Sequence, residues 1–547
     1  MVLRCRPQRA LDSRPMTTKS LSSRLRISLI LALAAFALAL SATQALAARY
    51  AYTGNYNDGT MSVIDTATNQ VVGSPIPVGE GPDSIAVSPN GTTVYVSSGD
   101  GKITVVNAQT NQVITTISGL PGLETIAISP DGKTAYVSSP EKDTVLVIDL
   151  QTNQVVGSPI AVGDNPIGIA FSPDGTVAYV VNDNDENVSV IDTATRQVVG
   201  TPITVGNEPV NVVFSPDGKT AYVNNEASSE PAGSVSVIDT ATRLAIGVPI
   251  AVGAEPWGLG LSPDGTRLYV SNNEDDNVSV IDTATRQVVG TPITVGDEPY
   301  ELAFTPDGKS VYVALYGDVD GVSVINTQTG QASTIPVAGG PWQVAIAPDQ
   351  SPLASFTAKA TKKNPLRIGF ASTTVDPDGA VAAYNWNFGD GKTALNGSPT
   401  PKHTYAKAGK YTVGLTAVDN EGCSVNMVFT GRTAYCSGAP AAAKAITVKA
   451  PNNFKFGKLV RNTKKGTAKL KVKVPYAGKV TLSGKGVKKV KRSAKKKGAV
   501  TLSITPTPKT KRLLAASGSA KVRVKVTFKP KGNKSKSKGR SVKLIEK

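Results

Sequence analysis

Three aromatic residues, Trp257, Tyr300 and Trp342, each directly follow a proline at the head of an apolar run, and Glu255, Asp297 and Glu298 stand two or three residues ahead of the first two. Ring faces beside carboxylates suit a sugar ring, by stacking and hydroxyl hydrogen bonds, or an organic cation, by cation–π attraction and charge. Other chemistry is sparse. The single histidine is His403, and residues 48–350 contain neither histidine nor cysteine. That stretch therefore offers no imidazole for copper or haem and no Ser-His-Asp arrangement. The reading assigns no catalytic residue and no metal ligand.

The aromatics sit in a repeating frame. SPDG or a close variant recurs at Ser88, Ser129, Ser172, Ser215, Ser262, Thr305 and Ala347, with spacings of 41, 43, 43, 47, 43 and 42. A period in the low forties, filled by short alternating runs between Gly, Pro, Asn and Asp, predicts one four-stranded blade of a β-propeller per repeat. The second strand carries Tyr52, Tyr95, Tyr136, Tyr179, Tyr222, Tyr269 or Tyr312, so seven blades are expected. Tyr52 precedes the first SPDG element, and the array ends in a lone first strand, PWQVAIAPD, from Pro341. Pairing the two chain ends completes the seventh blade and closes the ring without an exposed edge.

In this topology the fourth-to-first and second-to-third loops share one face. The first set reads GEGP, GDNP, GNEP, GAEP, GDEP and GGP, with GLPG at Gly119 as the exception. The second includes NDNDEN from Asn182 and NNEDDN from Asn272, so this face is acidic. Residues shared by every blade read as scaffold, whereas a departure confined to neighbouring blades marks a site. The residue after the proline is Asp83, Gly122, Ile167 and Val210 in the earlier blades, then Trp257, Tyr300 and Trp342 in three successive ones. No cofactor is expected. Calcium is the alternative reading of Asp183, Asp185 and Glu186, or of Glu274, Asp275 and Asp276, although their spacing matches no known calcium loop and acidic turns are usually only solvated.

YVNN at Tyr222 and YVSN at Tyr269 make residues 48–350 resemble the YVTN family of β-propeller repeats, whose bacterial and archaeal members are mostly extracytoplasmic. The architecture is also similar to that of lactonases and of propellers in some denitrification enzymes. Residues 351–449, with VDPDG at Val375, YNWNFGDG at Tyr384 and HTYAKAGKYTVGLTAVDNEG at His403, resemble a PKD domain, an immunoglobulin-type β-sandwich that usually serves as a spacer. Trp386 is expected in its core, and its GDG reads as a turn needing positive φ. Asn387 stands where that family usually has Asp.

Charge divides along the same boundaries. Residues 48–350 carry 34 Asp and Glu against 10 Lys and Arg, whereas residues 451–547 carry 31 Lys and Arg against one Glu. TAKLKVKVP, GAVTLSITP and AKVRVKVTF alternate with period two, so residues 450–547 are expected to form a second β-sandwich with lysines in rows. VKKVKRSAKKK from Val487 is read as a basic loop and Lys529 to Arg540 as a flexible end. Residues 1–47, basic to Arg26, apolar from Ile27 to Leu40 and ending Ala45-Leu46-Ala47, follow the plan of a secretory signal peptide. Export in turn suggests a Cys423–Cys436 disulfide.

The resulting expectation is an all-β, secreted or cell-surface binding and adhesion protein without enzymatic activity. Its propeller takes a ligand, and its basic module holds cell-wall polymer or polysaccharide rather than nucleic acid, since the module has no interleaved stacking pattern. Neither a transmembrane anchor nor a C-terminal hydrophobic anchor is expected. The alternative is an extracellular propeller hydrolase, lactonase-like or carbohydrate-active.

Overall fold

The computed structural model describes residues 50–227, 232–317, 320–362, 364–420, 423, 435, 436, 438 and 441–547. The expected signal peptide lies outside them. Among the described residues no helix is long and apolar enough to cross a membrane.

Seven antiparallel sheets form the propeller blades. One complete blade runs Pro166–Phe171, Val177–Asn182 and Asn187–Asp192, then closes with two short pieces, Gln197–Val198 and Ile203–Thr204, that both pair back onto the third strand. The outer strand is split in this way in five blades. In this blade Gly200 adopts φ 80° and the following Thr-Pro supplies one amide N–H fewer. In Gln112–Ile117, which lacks that Gly-Thr-Pro, the outer strand is continuous.

Ala178, Tyr179, Val180 and Val181 are all buried, because each inner strand is covered by a blade on either side. The repeated tyrosine makes the joint: Tyr136 packs on Phe171 at 4.8 Å, Tyr179 on Phe214 at 4.7 Å and Tyr269 on Phe304 at 5.0 Å, each reaching the next blade's first strand. The SPDG turn is held by its own side chains. The Ser172 hydroxyl donates to Asp174 at 2.6 Å, and the Thr176 amide donates to the same carboxylate at 3.0 Å. Closure follows the expected three-plus-one division, with Pro341–Ile346 pairing antiparallel to Tyr50–Asn55 in a register that sets Val344 opposite Thr53.

The second module is a sandwich of a three-stranded and a four-stranded sheet between Phe356 and Val448. Trp386 is buried in its core and donates from Nε1 to the Ser398 carbonyl at 3.1 Å. Gly389 and Gly391 take φ 75° and 82°, as the GDG turn requires. The Asp390 carboxylate of that turn lies 2.8 Å from His403 Nε2, and the imidazole stacks on Phe388 at 4.2 Å. The single histidine is thus part of the scaffold.

Cys423 and Cys436 form the expected disulfide. Cys436 also bridges to Asp349 at the end of the propeller, which places Tyr435 against the blades. Tyr435 is buried and, with Leu259, Leu302 and Val344, lines a cavity of about 30 Å³ on the axis. This ring therefore lies at the SPDG end of the axial channel.

The third module is the expected sandwich, with sheets ordered 455–462, 467–474, 498–504 and 490–494, 478–485, 519–530, 536–545. Two expectations on its ends are corrected. Lys536–Ile545 is a strand paired along Ser519–Phe528, not a flexible end, because Val542 and Leu544 supply inward anchors that the intervening lysines obscure in the sequence. The basic loop is likewise partly strand, Val490–Ala494, paired with 478–482. A helix at Pro508–Ser517 was not foreseen. Pro508 opens it, Leu514 is buried beneath it, and Gly518 ends it at φ 64°.

Candidate functional site

Strand pairing puts the mouth residues in register. In six blades the last residue of the second strand lies opposite the proline that opens the first: Asn55 with Pro341, Ser98 with Pro82, Asn182 with Pro166, Asn225 with Pro209, Asn272 with Pro256 and Leu315 with Pro299. The seventh blade is shifted. Ala127 pairs with Tyr136 there, as Ala170 pairs with Tyr179 in the next blade, so Glu124 occupies the position of Ile167. The reading that gave this place to Gly122 is corrected, since GLPGLE carries two extra residues after its proline. A second contact agrees: Ser97 donates to the Glu124 carbonyl as Ser138 does to Ile167 and Ser271 to Tyr300.

The inner ring of the mouth is therefore Asp83, Glu124, Ile167, Val210, Trp257, Tyr300 and Trp342. The positions just after the second strands form an outer ring that includes Tyr56, Gly99, Asp183, Glu226, Asn273 and Tyr316. In each of these the backbone N–H donates to a carbonyl of the adjoining loop, as from Tyr56 to Gly340 at 2.9 Å and from Tyr316 to Glu298 at 3.1 Å.

The three expected aromatics converge. Tyr300 stacks on Trp342 with centroids 3.8 Å apart, and Trp257 meets Tyr300 edge-on at 5.3 Å and Trp342 at 5.6 Å. Tyr56 and Tyr316, which the sequence reading did not single out, extend the cluster, each within 5.3 Å of Trp342. Their signal was available as aromatics where the other blades carry Gly99, Pro140, Asp183, Glu226 and Asn273 after the second strand. All five rings keep some solvent exposure. Together they make an aromatic arc over three blades, beside an acidic arc of Asp83, Glu124, Asp183 and Glu226 on the other four.

The acidic arc is crowded. Burial, then the charges of Glu124 and Asp100, push Asp83 up to about 8. Burial, then Glu255, Glu208 and Asp183, push Glu226 up to about 7. Tyr300 is pushed up to about 12 by burial and by Glu298, Tyr316, Glu226 and Glu255, which places those carboxylates around the aromatic arc. Of the expected acids, Glu255 is half-buried, whereas Asp297 and Glu298 are exposed on the rim. Beneath Tyr300, the buried Glu301 accepts a hydrogen bond across the channel from Asn211 at 2.8 Å.

The loop acids considered for calcium are engaged with neighbouring turns. Asp185 accepts from the Asp164 amide, Asp275 from the Ala254 amide, Asp276 from the Glu298 amide, and Asp183 from Asn165. Elsewhere, Asp349, Asp419 and Cys423 place ligand-type atoms within 4.8 Å of one another at the base of the PKD-like module. The Cys423 sulfur is already in the disulfide, which leaves two carboxylates there.

An all-β repeat protein with a seven-bladed propeller and an immunoglobulin-type sandwich is thus defined by fold and site. Residues 66–205 and 198–336 match the family described as Lactonase, 7-bladed beta-propeller, and residues 349–433 match the PKD domain family. The chain is a β-propeller repeat protein of this seven-bladed kind that carries a PKD domain. Among curated proteins it is 34% identical over 90 residues to a microbial collagenase of Vibrio alginolyticus, covering 16% of this chain and 11% of that one. It is 38% identical over 74 residues to the pre-pro-metalloprotease PrtV of Vibrio cholerae, covering 14% and 8%. The chain thus spans a small fraction of these relatives' lengths. Among solved structures it is similar to Kuenenia stuttgartiensis hydrazine synthase, at 29% identity and TM-score 0.42, over 45% of this chain and 77% of that one. It is also similar to a functionally unknown protein from Desulfotomaculum acetoxidans, at 17% identity and TM-score 0.47, over 55% and 99%.

Proposed function

We propose that this chain is a secreted or surface-associated binding protein without enzymatic activity, in which the propeller mouth takes a ligand, the PKD domain spaces it, and the lysine-rich sandwich holds an anionic cell-wall polymer or polysaccharide. The observation that carries the reading is the outer face of the sheet 490–494, 478–485, 519–530, 536–545. Lys479 lies directly opposite Lys529, Lys485 opposite Arg523 and Lys521 opposite Lys543. Like charges facing one another across strands weaken a sheet. Glu546 is the only acidic residue of the module, so its own side chains do not relieve this repulsion. An extended polyanion laid across the rows would.

The test is retention of the purified full chain on immobilised acidic polysaccharide and on a neutral polysaccharide, over a salt series. Retention on the acidic matrix alone, lost as salt shortens the Debye length from about 8 Å toward 3 Å, supports the reading. Equal retention on both, or retention unchanged in molar salt, overturns it.

A lactone-hydrolysing propeller is the second reading, and the match to the lactonase family favours it. Asp83 and Glu226, held near neutrality, are the carboxyls able to exchange a proton there. Hydrolysis of a lactone panel that Glu226→Gln abolishes would replace the binding reading.

A further inference from the structure

We infer that the propeller mouth binds an organic cation of alkylammonium type, seated between the aromatic arc of Trp257, Tyr300, Trp342, Tyr56 and Tyr316 and the carboxylate arc of Asp83, Glu124 and Glu226. The inference rests on the reading of the mouth as a ligand site and names the ligand's chemistry.

Three observations separate a cation from a neutral sugar. The first is the division of the mouth into two arcs. At the inner and outer ring positions the aromatics occupy three successive blades and Asp83, Glu124, Asp183 and Glu226 the other four, with Glu255 and Glu298 bordering the aromatic side. A cation with apolar substituents uses both sides at once: its charge faces the carboxylates and its alkyl groups lie on the rings.

The second is the sign of the surroundings. The neighbouring charges that act on Asp83, Glu226, Tyr56 and Tyr300 come from Glu124, Asp100, Glu255, Glu208, Asp183, Glu298 and other tyrosines. All are acidic groups. Lys102, the basic side chain nearest to Asp100, is hydrogen-bonded to it. A neutral ligand would bury these carboxylates further without compensating them, whereas a cation offsets their mutual repulsion.

The third is the floor. Glu301, immediately following Tyr300, is 2% exposed and lies under the rings with Asn211 as a partner. At the far end of the axis Tyr435 lines the channel, so the buried carboxyl group of Glu301 lies between the rings and that end.

An alkylammonium group can arrive as a free small molecule or as a lysine side chain of a basic peptide. The chain's own lysine-rich module leaves from the other end. Asp349 and Gln350 lie on the SPDG side, where the Gln350 side chain approaches Gly91, and Tyr476 of that module contacts the PKD domain at Ala408. Its link to the rest of the chain therefore runs through the PKD domain, which joins the propeller at the SPDG end.

The experiment is calorimetric binding to the full chain of choline, a hexalysine peptide, calcium chloride, and neutral oligosaccharides of glucose and of N-acetylglucosamine. Wild type, Trp257→Ala and the double variant Glu124→Gln/Glu226→Gln are compared, with melting temperature as the check that each is folded. The expected result is saturable binding of choline, hexalysine or both. Binding should weaken at least fivefold in Trp257→Ala and about tenfold in the double variant, and tighten as pH rises from 6 to 9. Choline alone identifies a free ligand, hexalysine alone a peptide, and either supports the inference. Binding of an oligosaccharide but no cation overturns the inference while leaving the mouth a ligand site. Binding of calcium alone, lost in the double variant but not in Trp257→Ala, also overturns it. If nothing binds the folded chain, the mouth reading itself fails. Should Trp257→Ala not fold, the near-isosteric double variant decides alone.

Discussion

Asp83→Asn removes a carboxyl that the fold holds protonated well above its ordinary range, and the pH dependence of stability is the place to see it. Asp83 is 9% exposed, and burial, Glu124 and Asp100 raise it from 3.8 to about 8. Between those two values the folded chain binds a proton that the unfolded chain has lost. Stability is therefore full below about pH 4 and falls as pH rises toward 8. The interval corresponds to at most about 6 kcal/mol. The asparagine replacement leaves the Glu124–Asp100 repulsion in place and still buries an amide, so about 2–3 kcal/mol should survive as a net gain above pH 8, with no gain at pH 4. Urea unfolding from pH 4 to pH 9, followed by propeller tyrosine and tryptophan fluorescence, measures it. Wild type should lose stability across this range, while the variant's curve flattens and crosses above it. Parallel curves would refute the reasoning, because the mouth would then not hold Asp83 in a crowded acidic arc.

Gly389→Ala places a Cβ 2.1 Å from the Thr412 carbonyl oxygen at φ 75°, and should cost the PKD domain at least about 2 kcal/mol, read as an earlier calorimetric transition. Tyr435→Ala empties the base of the axial channel and should destabilise the propeller by about 3 kcal/mol in chemical denaturation, with the fold retained. Deleting Ala48 to Ser74 takes away three-quarters of the closing blade and leaves Pro341–Ile346 unpaired; loss of cooperative melting of the whole ring is expected in circular dichroism. Titration of the unreduced chain with a thiol reagent should find Cys423 and Cys436 unreactive.

The fold was legible because its signals repeat. A tyrosine in each second strand and a serine-aspartate turn after most first strands have one job in every blade, and closure followed from where the array starts and stops. WNFGDG was legible for a related reason, since Trp386 and the positive-φ glycines are demanded by one local geometry. The site was harder to read. Trp257, Tyr300 and Trp342 stood out as departures from the repeat, but Glu124 was hidden by two extra residues after Pro121, and only pairing of Ala127 with Tyr136 fixes its place. Tyr56 and Tyr316 join the cluster from loops whose nearness to the axis depends on how the blades are arranged around it. In the basic module, Lys536–Ile545 hid as a strand because its lysines, serines and glycine outnumber its two inward anchors. Tyr435 had no sequence signal, since its role is set by a disulfide and a bridge to Asp349.

Attachment of this protein to a polyanion through its lysine rows is the core of the proposed function. It is tested most directly by equilibrium binding of the full chain and of the variant Lys521→Glu/Lys525→Glu/Lys529→Glu/Lys543→Glu to one acidic wall polymer, at ionic strengths from about 0.05 to 1 M. All four side chains are exposed; Lys529→Glu gains an opposite charge in Lys479, and the Lys521–Lys543 pair exchanges one like-charge contact for another, so the fold should persist. Wild type should bind with an affinity that falls steeply with salt, and the variant should bind at least tenfold more weakly, with a shallower salt dependence. Equal affinity and equal salt dependence in the two proteins would contradict the account.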